Sequence, residues 1–169
     1  MTGSTTRKPR RVGGDEGPVS PARLAGSFTE VVSDELDRLF NRSPFIADLG
    51  LQLESAGHGE CATVLPLRLR HLQQDGYVHA GVQATIADHT AGAAAVTLIE
   101  CGQMVLTAEF KINLLRPAKG ERLICRSRVL KQGKQLTVVE SEIFCAKTDT
   151  EYLASKATAT IAVVTPRKR

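Results

Sequence analysis

One carboxylate stands alone in a long apolar run. Between Ala80 and Ile99 the chain reads AGVQATIADHTAGAAAVTLI, where Asp88 is the one charged side chain and His89 the other ionisable one. A buried carboxylate without a partner is costly, so Asp88 requires either a partner or a chemical role. A carboxylate so placed can act as a general base or as a nucleophile. Gly81, Thr85, Asp88 and Gly92 follow one another at i, i+4, i+7 and i+11, which puts them on one stripe of a helix. That stripe carries the smallest side chains and leaves room for a substrate. Gly81 falls at the expected start of the helix, where free N–H groups and the positive dipole end favour an oxygen anion.

The elements that must position these residues follow from periodicity. A helix apolar nearly all round is a buried one, so the run from Ala80 to Ile99 is expected at the centre of the fold. After Gly102 the composition turns to strands at 104–115, 121–130, 135–146 and 152–164, separated by turn-like segments at 117–120, 131–134 and 147–150. Connections this short imply antiparallel neighbours. Upstream, Leu49, Leu51 and Leu53 alternate with polar or small residues as in a half-buried strand. A turn at 57–59 leads to a returning strand at 60–65. Phe28, Val31, Val32, Leu36, Leu39 and Phe40 have helical spacing, with Ser27 and Glu30 placed as a capping box and residues 41–44 as the break. The expected class is α+β, an antiparallel sheet of about six strands wrapped around one long central apolar helix, preceded by an N-terminal helix. The hairpin register is expected to set Arg126 opposite Glu140, and uncovered sheet edges predict self-association.

Composition narrows the functional classes. The chain has 169 residues, 42% hydrophobic and 24% charged, which suits one domain with one core. Residues 1–26 are expected to be a disordered basic tail, 27–165 the single domain, and 166–169 a basic C-terminal tail. The net charge of +4 comes largely from those tails, and 4% aromatic content offers no stacking platform for nucleic acid. The four histidines show no ligand spacing, so no metal is expected. No apolar stretch reaches the roughly 18 residues of a membrane span. The start of the chain lacks the apolar core of a secretory signal, and a cytoplasmic location is expected. Cys61, Cys101, Cys125 and Cys145 are expected to be reduced, buried, small apolar residues.

The segment from His79 to Asp88, HAGVQATIAD, resembles the hotdog-fold acyl-CoA thioesterases of the PaaI-like, phenylacetate-degradation type. Their pattern is His-Gly-Gly, six residues, then an acidic residue; Ala80 stands here for the first Gly. Downstream, Thr107 followed by Asn113, Arg116, Pro117 and Ala118 is similar to the family's strand and Pro-Ala turn. The Lys131-Gln132-Gly133-Lys134 turn is similar to another recurring segment. The resemblance covers roughly residues 49–164.

The resemblance implies hydrolysis of acyl-CoA thioesters, with no cofactor, by a homodimer or homotetramer whose active sites lie between subunits. It implies Asp88 as general base or nucleophile and Gly81 as a backbone donor to the thioester carbonyl. His79 would hold the loop and the thioester end in place. Thr107, from the neighbouring subunit, would position a water. Gln73 stands where the family commonly has an Asn that contributes an amide, with Gln74 beside it as an alternative. Arg116, Lys131, Gly133 and Lys134 would contact coenzyme A. Two other readings keep the fold and change the function, one an acyl-CoA hydratase or dehydratase, the other a non-catalytic acyl-CoA-binding regulatory domain.

Overall fold

The computed structural model describes Met1, residues 32–148 and residues 150–166. Helix α1 occupies residues 32–40, and its expected capping residues Ser27 and Glu30 lie outside the described residues, as do the tail at 1–26 (Met1 apart) and residues 167–169. A second short helix, α2 (Pro44–Leu49), follows at once. Pro44 stands at its start, and Gly50 closes it with φ 85°. This is the favoured placement of proline at a helix start and glycine just past its end. The strand expected to include Leu49 and Leu51 is therefore shorter: Leu49 ends α2, Leu51 turns into the core, and β1 begins at Gln52.

Strands β1 (Gln52–Gly57) and β2 (Glu60–Pro66) form a hairpin. Its turn residues His58 and Gly59 both have positive φ, 54° and 82°, as the tightest hairpin turns require. A loop with one 3-10 turn leads to α3 (Ala80–Val96), then to β3 (Met104–Leu114), β4 (Arg122–Lys131), β5 (Leu136–Lys147) and β6 (Thr150–Val164). The six strands form one sheet in the order β1-β2-β4-β5-β6-β3, every pair antiparallel. Helix α3 lies against this sheet, and the arrangement is the hotdog fold.

The core forms where α3 meets the sheet. Ile86, Ala91, Ala93 and Ala94 of the helix pack with Leu65, Leu123, Val139, Ile143 and Ile161, all fully buried. The apolar run thus buys its burial with small side chains, which let helix and sheet approach closely. On the opposite face of the sheet, Arg126 pairs with Glu142 and Arg128 with Glu140, two residues away from the expected register. The connection is longer than a tight hairpin: β4 ends at Lys131 and β5 begins at Leu136, with Lys131 opposite Val138. A bulge between Val129 and Lys131 shifts the pairing by one residue beside it. Lys156 bridges Glu140 and Glu142 at 3.0 and 3.1 Å. Strand β3 lies at one edge of the sheet and exposes Leu106, Phe110 and Leu114.

Candidate active site

The loop before α3 is held from two sides. His71 is buried; its Nδ1 accepts from the Arg68 N–H at 3.0 Å, which leaves Nε2 to donate to the Leu49 carbonyl at 3.0 Å. Its own carbonyl accepts from the His79 N–H at 2.9 Å. From the other side, the Val78 N–H donates to the Ala118 carbonyl at 2.9 Å, and the Tyr152 hydroxyl donates to the Pro117 carbonyl at 2.8 Å. The Arg116-Pro117-Ala118 turn therefore buttresses the segment that carries His79. Neither His71 nor Tyr152 is marked out by the sequence, because each acts through backbone groups that no side-chain spacing reveals.

His79 is the N-cap of α3, and its Nδ1 accepts from the Gly81 N–H at 2.9 Å. The Gly81 N–H is thus occupied rather than open. The Ala80 N–H, one residue earlier, has no acceptor among the described residues. A Cβ added at Gly81 would lie 3.0 Å from His79 Nδ1, so the glycine keeps the capping contact free of crowding. Gln73 turns inward on its own loop, its Oε1 accepting from the Asp75 N–H, while Gln74 reaches only the Asp75 carboxylate. Gln73, Ala80, Gln83 and Arg116 line a cleft of about 470 Å³ at this end of the helix.

Asp88 sits near the middle of α3, half-buried. Its Oδ1 accepts from the Thr107 hydroxyl of the same chain at 2.7 Å. The resemblance implied a threonine from a neighbouring subunit; here β3 brings Thr107 to the helix within one chain, where a bulge between Thr107 and Glu109 breaks the pairing with β6. Asp88 Oδ2 has no partner among the described residues. Next to it, His89 packs edge-on against Phe40 of α1, with ring centroids 4.9 Å apart. Burial pushes the His89 ring below its ordinary value, partly offset by the Asp88 charge and the Leu39 carbonyl. The ring is neutral at physiological pH as a result.

The residues implied for coenzyme contact separate into two groups. Arg116 borders the cleft at the N-terminal end of α3, whereas Gly133 and Lys134 line a cleft of about 600 Å³ with Ala95 and Leu98 at the other end. Lys131 is exposed at the same turn. The 17 residues of α3 make the helix about 25 Å long, so the two groups cannot hold one phosphate within a chain. Cys61, Cys125 and Cys145 are buried as expected, but Cys101 is exposed in the turn after α3. Among the described residues no helix is long and apolar enough to cross a membrane.

A family model described as the thioesterase superfamily matches residues 75–152, the span from the loop before α3 into β6. The chain is also similar to the crystal structure of a thioesterase family protein from Silicibacter pomeroyi, with 34% identity and a TM-score of 0.76, covering 82% of this chain and 99% of that one. The chain belongs to the thioesterase superfamily. Like its family, this thioesterase is a thioester hydrolase. It is similar to acyl-coenzyme A thioesterase 13 from Homo sapiens, 27% identical over 119 residues, which cover 69% of this chain and 84% of that protein. A 1,4-dihydroxy-2-naphthoyl-CoA hydrolase from Listeria monocytogenes is 28% identical over 120 residues, 71% of this chain and 95% of that protein.

Proposed function

We propose that this thioesterase hydrolyses acyl-CoA to the free acid and coenzyme A, working in the cytoplasm as a homodimer or a pair of such dimers. The Thr107–Asp88 bond carries the reading. It orients a carboxylate on an otherwise apolar helix and occupies one of its oxygens, at 2.7 Å. Oδ2 is left to take a proton from water or to attack the acyl carbon itself. In either route the carbonyl oxygen gains charge as the new bond forms. The tetrahedral intermediate then expels the coenzyme thiolate, which takes up a proton; where Asp88 itself attacked, a water then cleaves the acyl–Asp88 anhydride, freeing the acid and restoring the carboxylate.

The oxyanion needs donors. The start of α3 supplies the Ala80 N–H and, if the His79 ring turns aside, the Gly81 N–H. Gln73 would add its amide on rotating away from Asp75. Asp88 lies seven residues beyond Gly81, about 10.5 Å along the helix. A carbonyl hydrogen-bonded to an N–H and attacked directly by a carboxylate spans only about 7 Å. Two chains meet that requirement: the Gln73–Gly81 loop of one faces Asp88 and Thr107 of the other. The exposed row Leu106, Phe110 and Leu114 on the β3 edge is the surface through which they would join. Arg116 and the Lys131–Lys134 turn would then contact different parts of the coenzyme arm.

The test is a panel of acyl-CoAs, aryl and 2-enoyl types included, with a thiol-reactive dye reporting free coenzyme. Thiol release abolished in Asp88→Ala and retained in Cys101→Ser supports the proposal. Loss of enoyl absorbance without thiol release would make the protein a hydratase. Protection against melting by CoA esters that are not turned over would make it a binding domain.

A further inference from the structure

The sheet-facing side of α3 is nearly featureless. Besides Ile86, and Gln83 whose Oε1 accepts from the Ser155 hydroxyl at 2.9 Å, its buried side chains around Asp88 are largely those of Ala87, Ala91, Ala93, Ala94 and Ala95, and methyl groups define the rotation and axial setting of a helix weakly. Two strings of buried hydroxyls supply what the alanines lack. Ser141 Oγ on β5 donates to the Ala87 carbonyl at 3.0 Å. A hydroxyl has one proton, so the 2.7 Å bond between Ser127 and Ser141 is donated by Ser127. The 3.8 Å contact between Cys125 and Ser127 is then led by the Cys125 thiol. Burial pushes that thiol up to about 11, which keeps it protonated and able to donate.

On the neighbouring turn, Thr90 Oγ1 donates to the Ile86 carbonyl at 2.6 Å. The 2.8 Å bond between Thr63 on β2 and Thr90 is therefore donated by Thr63. Both strings end on the carbonyls of Ile86 and Ala87, the two residues before Asp88. Thr63, Thr90, Ser127 and Ser141 are 0%, 0%, 3% and 1% exposed, so water cannot replace a missing member. These carbonyls already accept bonds within the helix, so the hydroxyls are not needed to satisfy them. Their effect is to fix where the helix sits.

We propose that Ser141, with Ser127 behind it, is a positioning residue: it sets α3 on the sheet so that Asp88 meets Thr107 and the thioester in register. The inference rests on the reading of Asp88 above, but its consequence for the helix can be measured without turnover. Misplacing a reacting group by about 1 Å costs up to about 100-fold in rate, so a loosened helix is felt at Asp88 although Ser141 touches no substrate.

Three variants and a control test it. Ser141→Ala and Ser127→Ala/Ser141→Ala remove the string, the second without stranding a hydroxyl. Ser141→Cys keeps a weaker donor, and Leu123→Val trims a buried residue of β4 outside the string. In the two alanine variants kcat should fall about tenfold with KM within about twofold, Ser141→Cys should lie between, and amide exchange should speed up at residues 86–91. Leu123→Val should lower the melting temperature comparably and leave kcat within about twofold. The proposal is overturned if the double variant matches Leu123→Val in both kcat and exchange. If no thioester in the panel is turned over by the unaltered protein, the hydrolase reading falls, and the exchange rates at residues 86–91 still decide whether Ser141 fixes the helix.

Discussion

Replacing Thr107 with valine removes one hydroxyl and nothing else of consequence, because the two side chains share a shape. The hydroxyl donates to Asp88 Oδ1 at 2.7 Å, the length of a good charge-assisted bond. Bonds to charged groups contribute about 1.5–3 kcal/mol. Thr107 is exposed and Asp88 half-buried, which puts this one at the lower end, near about 1.5 kcal/mol. Since about 1.4 kcal/mol of transition-state stabilisation is tenfold in rate, kcat/KM for thiol release should drop about tenfold in Thr107→Val. Thr107→Ser, which keeps the donor, should stay within about threefold. The measurement is steady-state thiol release from one acyl-CoA, with circular dichroism confirming that each variant is folded. If Thr107→Val is as fast as the unaltered protein while Asp88→Asn is inactive, the bond does not orient the working carboxylate and the reasoning fails.

Asp88→Asn keeps the shape and the bond to Thr107 but cannot accept a proton, so kcat should fall by at least about 100-fold, read in the same assay. Phe110→Glu on the exposed β3 edge should give monomers in sedimentation experiments and abolish turnover if, as proposed, each site takes residues from two chains. At Gly133 an added Cβ would strike the Leu136 carbonyl oxygen, a backbone atom, so Gly133→Ala should displace the turn, raising KM several-fold and lowering the melting temperature. Acid should weaken the fold through His89. Burial holds the folded His89 below the ordinary 6.5, so the unfolded chain binds the proton first, and stability present above about pH 6.5 is lost as pH falls through the folded value. Melting temperatures measured between about pH 7 and pH 5 should therefore decline less in His89→Leu than in the unaltered protein.

The order of elements was written in local patterns. The absence of charge from 80 to 99, Asp88 apart, marks the central helix, because only burial makes such a face tolerable, and alternation with short turns marks β3 to β6. Asp88 stood out for the same reason: a carboxylate in that run needs an explanation. Local patterns misled where one turn chemistry could serve two elements. Ser43-Pro44 was legible as a break, yet it also starts α2, and the Leu49, Leu51, Leu53 alternation was an accident of a helix end followed by a strand. The hairpin register slipped by two residues because the length of the connection from Lys131 to Leu136 leaves no mark in the residue types.

What only the tertiary structure decided is who meets whom. Nineteen residues separate Asp88 from Thr107, and no spacing rule joins a helix to an edge strand; the sheet order that sends β3 to the far edge does. The same packing split Arg116 from Lys134 by the length of α3 and gathered Cys125, Ser127 and Ser141 under the helix. Hydrogen bonds are directional and short, so their partners are fixed by three-dimensional placement to within a fraction of an ångström. Hydrophobic periodicity, which tolerates larger errors, could be read from the chain alone.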